Sequence, residues 1–128
     1  MSNPANNPRI SPDGKFIVCT YFDEKSRKWG TGILTFDHTA LQRFFTLPYS
    51  AELASTDWYP DGKSITFIDT RNGISNIYSL PSEGGEPHQL TNFSSGLIFS
   101  YKWSKDGQFL AIARGEVSRD VVLMTQNK

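Results

Sequence analysis

Side chains able to do chemistry are few in this chain of 128 residues, and they fall in a pattern. Asp13, Asp61 and Asp106 each precede a glycine, in Pro12-Asp13-Gly14, Pro60-Asp61-Gly62 and Lys105-Asp106-Gly107. Clustered carboxylates serve general acid–base catalysis, but Pro-Asp-Gly is turn chemistry first. Proline pre-sets φ, aspartate bonds its own backbone, and glycine accepts the left-handed conformation. Spacings of 48 and 45 residues put the three aspartates in equivalent turns of different units rather than in one acid cluster. His38 and His88 are the only histidines, and neither has a cysteine or acid at ligand spacing, so both are expected on loops or surface. Cys19 is the only cysteine, which excludes an internal disulfide and a cysteine-rich zinc site. Within Phe16-Ile-Val-Cys19 it reads as a small core residue, without the basic or histidine partner that activates a thiol. Gly30-Thr-Gly32 begins like a phosphate loop but lacks the third glycine and the strand–helix context. Asn92-Phe-Ser94 spells a glycosylation sequon of low specificity. No Gly-x-Ser-x-Gly elbow supplies a hydrolase nucleophile. The chain reads as non-enzymatic, with no catalytic, cofactor-binding or metal residues assigned.

The elements that carry these residues form an internal repeat. Ile10-Ser-Pro-Asp-Gly-Lys-Phe, Trp58-Tyr-Pro-Asp-Gly-Lys-Ser and Trp103-Ser-Lys-Asp-Gly-Gln-Phe align, each followed by a short apolar run. Downstream, Ile33-Leu-Thr-Phe36, Ile77-Tyr-Ser-Leu80 and Val121-Val-Leu-Met124 correspond, as do Arg43-Phe-Phe-Thr46 and His88-Gln-Leu-Thr91. A period of about 40–50 residues is that of four-stranded propeller blades. Repeats are placed at about 8–49, 50–94 and 95–128 of one domain, with the first blade beginning inside its first strand. Strands are predicted near 15–21, 32–37, 42–47, 53–59, 64–69, 75–80, 87–91, 97–103, 108–114 and 119–125. In Phe16-Ile-Val-Cys and Phe109-Leu-Ala-Ile-Ala the apolar–polar alternation is lost, which predicts strands buried on both faces. Trp58 and Trp103, at equivalent positions before the hairpins, are predicted to pack between blades near Phe67 and Ile112. No apolar stripe recurs at helical spacing, so helix is expected to be nearly absent.

Ser-Pro-Asp-Gly-Lys, then Thr70-Arg-Asn-Gly-Ile-Ser-Asn-Ile-Tyr78, then Gly-Gly-x-Pro-x-x-Leu-Thr91, resembles the TolB-type (WD40-like) β-propeller repeat. The second repeat matches most fully; the first lacks the Gly-Gly turn, and Lys105 replaces proline in the third. The stretch from Asn92 to Met124 is similar to the C-terminal blades of bacterial propeller sensor regions, which are attached to Ser/Thr kinases or winged-helix regulators. The resemblance implies an all-β β-propeller segment of about three four-stranded antiparallel blades, an incomplete ring. A ring of six blades at this period needs roughly 270–290 residues. Two copies associating would supply six blades, with residues 7–10 of one beside residues 120–125 of the other, so a homo-oligomer is one expectation.

Function is then expected in surfaces. In a propeller the second-to-third-strand hairpins and the links between blades share one face, which here carries Trp29, Arg71, Asn72, Arg114 and Arg119 as candidate interaction residues. Arg and Trp are enriched at binding hot spots, whereas polar loops are also ordinary solvated surface; Arg71 has a further reading, as a structural partner of Asp69. The predicted function is a non-catalytic module for protein–protein interaction or ligand sensing, part of or derived from a larger bacterial propeller protein. The alternatives are the gating propeller of a prolyl-oligopeptidase-like peptidase, or a sugar-lyase-type propeller, for which two histidines are too few. Thirteen basic and thirteen acidic residues leave zero net charge, which argues against nucleic acid as a partner. No apolar run approaches the roughly 20 residues of a membrane span. The polar first eight residues show no signal peptide. The expected compartment is the cytoplasm, or the periplasm within a longer exported protein. The protein partner itself is not legible.

Overall fold

Three tight hairpins set the architecture. Gly14, Gly62 and Gly107 have φ of 78°, 74° and 76°, a region open to glycine because it lacks Cβ. Each donates its N–H to a carbonyl three residues back, on Ser11, Tyr59 and Ser104 respectively. Asp13, Asp61 and Asp106 accept from the backbone N–H of Lys15, Lys63 and Gln108 at 2.9, 2.8 and 3.0 Å. The carboxylates are thus spent on their own turns. In a computed structural model, residues 5–37, 39–48, 50–116 and 121–124 are described, and among them there is strand but no helix.

The strands are β1 (Ala5–Ile10), β2 (Phe16–Asp23), β3 (Lys28–Thr35), β4 (Leu41–Phe45), β5 (Ala51–Trp58), β6 (Ser64–Arg71), β7 (Ile74–Pro81), β8 (His88–Gln89), β9 (Leu97–Trp103), β10 (Leu110–Gly115) and β11 (Val121–Met124). They form two four-stranded sheets and one three-stranded sheet, each antiparallel and in chain order: β1 to β4, β5 to β8, and β9 to β11. This is an all-β propeller segment.

Burial explains why the sheets stack. Along β6, Ile65 and Phe67 point to a core shared with Val18 and Ile33 of the first sheet, and Ile68 points to a second core with Ile98, Leu110 and Ile112 of the third. Adjacent residues of a strand face opposite sides, so a strand between two sheets is buried without interruption, as β6 is from Ile65 to Asp69. Trp58 sits in the first core and its Nε1 donates to the carbonyl of Arg9 at 2.9 Å.

Several expectations are corrected. A strand absent from the predicted set precedes the first hairpin: residues 5–10 form β1 and pair with β2. Its polar sequence hid it, because ladder hydrogen bonds come from the backbone. β2 and β3 also run further than predicted, to Asp23 and from Lys28, and β8 is only two residues long. Residues 7–10 lie in the first sheet, where Arg9 and Ile10 pair with Val18 and Ile17. β10 is not buried on both faces: Leu110 and Ile112 are buried but Ala111 and the adjoining Phe109 are exposed, since no sheet covers that side. Trp103 is only partly buried, its ring set T-shaped to that of Tyr59 with centroids 4.8 Å apart.

Candidate functional site

Of the loop residues singled out, the hairpins after β2, β6 and β10 place Trp29, Arg71 and Asn72, and Arg114 at corresponding ends of the three sheets. Trp29 is 48% exposed and packs beside Phe22, ring centroids 5.3 Å apart. Asn72 is exposed in the turn, with φ of 53°. Arg71 donates from Nε to Asp69 at 2.8 Å and lies 4.6 Å from the centre of the Tyr78 ring. Asp69 is buried and also accepts from the Ser50 hydroxyl, so Arg71 answers a buried charge while half of its own side chain stays in water. Arg114 stacks 3.9 Å over Phe93 and donates to the carbonyl of Ser95, tying its hairpin to the link between the second and third sheets. Asn76 fastens the same link: its Oδ1 accepts from the N–H of Phe93 and the hydroxyl of Thr91, both at 2.7 Å. Arg119 and His38 lie outside the described residues.

Cys19 is buried, and burial pushes its thiol up to about 11, away from the reactive thiolate. Gly30 and Gly32 are packing glycines: a Cβ at Gly30 would meet Phe44 Cζ at 2.7 Å, and one at Gly32 would meet Tyr21 Cβ at 2.9 Å. His88 is exposed on β8.

A second surface was not read from the sequence. β1, β5 and β9, the first strand of each sheet, share a groove of about 200 Å³ lined by residues including Arg9, Glu52, Asp57, Phe99 and Tyr101. In each sheet the pairing of the first strand with the second is broken by a register shift, between Asn6 and Arg9, between Glu52 and Asp57, and opposite the Ala113–Arg114 step. Hydroxyls staple the break in β5. Ser55 Oγ accepts from the N–H of Ile68 at 2.7 Å and donates to the carbonyl of Glu52 at 2.6 Å. Tyr101 donates to the carbonyl of Ser55 at 2.7 Å, and its burial raises its pKa well above the ordinary phenol range. Burial likewise raises the carboxyl of Glu52, opposed by a hydrogen bond from Thr70. Among the described residues, Arg9 pairs with no carboxylate, so the groove offers a free cation, two carboxyls and the 51%-exposed ring of Phe99. The one local signal was a charged residue just before the repeat, Arg9 and Asp57.

No protein-family model matches the chain. Over 112 residues, 83% of its length, it is 38% identical to the Bacillus subtilis (strain 168) uncharacterized peptidase YuxL, and it spans only 16% of that protein. In three dimensions it is similar to TolB from Acinetobacter baumannii, with a TM-score of 0.72, 21% identity, 98% of this chain and 31% of that one covered. The β-propeller domain of the Trilobed protease from Pyrococcus furiosus, described as having an open velcro topology, matches 85% of this chain and 33% of its own at a TM-score of 0.53 and 23% identity. No helix among the described residues is long and apolar enough to cross a membrane.

Proposed function

We propose that this chain, whose fold is that of the TolB-type β-propellers, is a non-catalytic module that holds polypeptide or another ligand by surface contact, within or derived from a larger bacterial protein. The observation that carries the reading is the groove on β1, β5 and β9. An extended segment lying there meets the guanidinium of Arg9, the carboxyl of Asp57 and the exposed ring of Phe99. Opposite charges on one surface favour a specific register over general adhesion. The half-exposed Trp29 and Arg71 supply a second contact surface at the hairpin ends. Fluorescence anisotropy with labelled, unfolded casein peptides tests it. Saturable binding that weakens in both Arg9→Ala and Asp57→Asn is expected; no binding, or binding indifferent to both changes, overturns it.

The 38% identity to a peptidase favours a second reading over attachment to a kinase or regulator. Here the chain is a propeller part of a prolyl-oligopeptidase-like enzyme, gating a hydrolase that lies outside these residues. Sequencing the DNA on both sides of the coding segment decides it: an in-frame Gly-x-Ser-x-Gly hydrolase region supports the gating role, and a kinase or winged-helix region rejects it.

A further inference from the structure

One row of side chains recurs across the three sheets, and in two of them it is packed. In the second sheet Trp58, Ile65 and Leu80 stand opposite one another on β5, β6 and β7. Cross-strand partners share a face, and this row closes on Phe16, Val18 and Ile33 of the first sheet. In the third sheet Trp103 and Leu110 form the row, which closes on Ile68 and Ile77 of the second. The first sheet carries the row in full, as Ile10, Ile17, Leu34 and Leu41, with one residue on each strand. Its two ends stay open to water, Ile10 at 56% and Leu41 at 40% exposure. The hairpins repeat the contrast. A Cβ on Gly62 would meet Pro12 of the preceding hairpin at 3.6 Å, and one on Gly107 would meet Pro60 at 2.8 Å. One on Gly14 would meet nothing within 4 Å. The third sheet carries the complementary face. Phe109 and Ala111 follow its hairpin aspartate as Phe16 and Val18 follow Asp13, and both are exposed.

We infer that a second copy of this chain docks head to tail, the row of its first sheet covering Phe109 and Ala111 on the third sheet of its neighbour. Two sheets of one repeat share strand spacing and twist, so the row meets that face as it does in the two seams already present. An unrelated apolar surface has no such match. The polar groups agree as well. Where the second and third sheets meet, the hydroxyls of Thr66 and Tyr101 bond at 2.8 Å. The residues at those repeat positions in the third and first sheets are Ala111 and Pro8, so a seam between them strands no side-chain donor or acceptor. Trp58 needs the carbonyl of Arg9 for its indole N–H, whereas Ile10 at the same position needs nothing. The contact is heterologous, each copy offering one face of each kind. It does not depend on the reading of the groove on β1, β5 and β9.

Cross-linking of the whole chain tests it. Ile10→Cys and Phe109→Cys replace exposed side chains, and their counterparts Trp58 and Phe16 border one cleft across the first seam. The native Cys19 is buried with its thiol pushed up to about 11, so it stays unlabelled and the unmodified chain is the control. A short bismaleimide, with a reach of about 10 Å, matches the spacing of packed sheets. Mixing the two variants is expected to give a cross-linked pair whose mass is that of one of each, in excess over either variant linked to itself. Adding Leu41→Lys to the first variant, or Ala111→Glu to the second, is expected to cut that yield about 10-fold, the worth of one apolar contact replaced by a charge. Circular dichroism of each variant checks that its strands are retained. Pairs of like with like alone overturn the head-to-tail contact. So does a mixed pair whose yield neither added charge alters, or no cross-link at the highest soluble concentration, which removes the second copy as the occupant of this face.

Discussion

Arg71 shows how one side chain divides between structure and surface. Its partner Asp69 is fully buried, and the guanidinium is that carboxylate's only cation among the described ion pairs. Arg71→Ala is therefore expected to destabilise the chain by about 1.5–3 kcal/mol, the value of a hydrogen bond to a charged group, read as a lower denaturation midpoint. A residue serving only as a contact would leave that midpoint unchanged. The hairpin aspartates make a different prediction. Hydrogen bonds from Ser11 and Ser104, then from the N–H of Lys15 and Gln108, hold the carboxyls of Asp13 and Asp106 below the usual carboxylate range. A depressed folded pKa contributes stability that is complete above the unfolded value of ~3.9 and lost as pH falls through the folded value. Ser104→Ala is expected to raise the Asp106 midpoint, followed by carboxyl ¹³C shifts, and to move acid unfolding to higher pH. These turns were legible because every interaction in them spans at most five residues. The groove was not legible, because Arg9, Asp57 and Phe99 lie far apart in the chain and meet only once sheets have stacked.

At the scale of elements, the two seams differ in how well they are closed. Trp58 is enclosed by side chains from the first sheet and its own, so Trp58→Ala is expected to cost about 3–5 kcal/mol, the range for large buried aromatics. Trp103 is partly open, and its truncation is expected to cost less than that range. Urea unfolding of the two variants side by side checks the order; equal losses would mean the second seam is as tightly packed as the first. The repeat made the equivalence of these tryptophans visible in the sequence but not their inequality. Periodicity reports which residues can face a neighbour, and whether a neighbour is there depends on the next sheet. The same reasoning explains β10, whose apolar run promised two covered faces and shows one. It also explains β1, where an edge strand formed by polar residues left no hydrophobic signal at all.

At the scale of the molecule, the third sheet has one side packed and one side carrying Phe109, 52% exposed, next to Ala111. An uncovered apolar sheet face favours association. The expected outcome for this chain is a mass in light scattering that rises with micromolar concentration and falls back in Phe109→Lys; a constant monomer mass would reject it. Association of faces is not the same hazard as association of edges, and here the register shifts acquire a meaning. A straight row of unpaired N–H and C=O groups is a template on which foreign strands add and amyloid-like fibrils grow. The first strand of each sheet is bent where its pairing slips, with Asn7 at a φ of 53° in β1 and Ser55 side-chain bonds replacing ladder bonds in β5. An incoming strand can follow such an edge for only a few residues before its hydrogen bonds fall out of step. At these first-strand edges the sheets are in this way poor templates for cross-β growth.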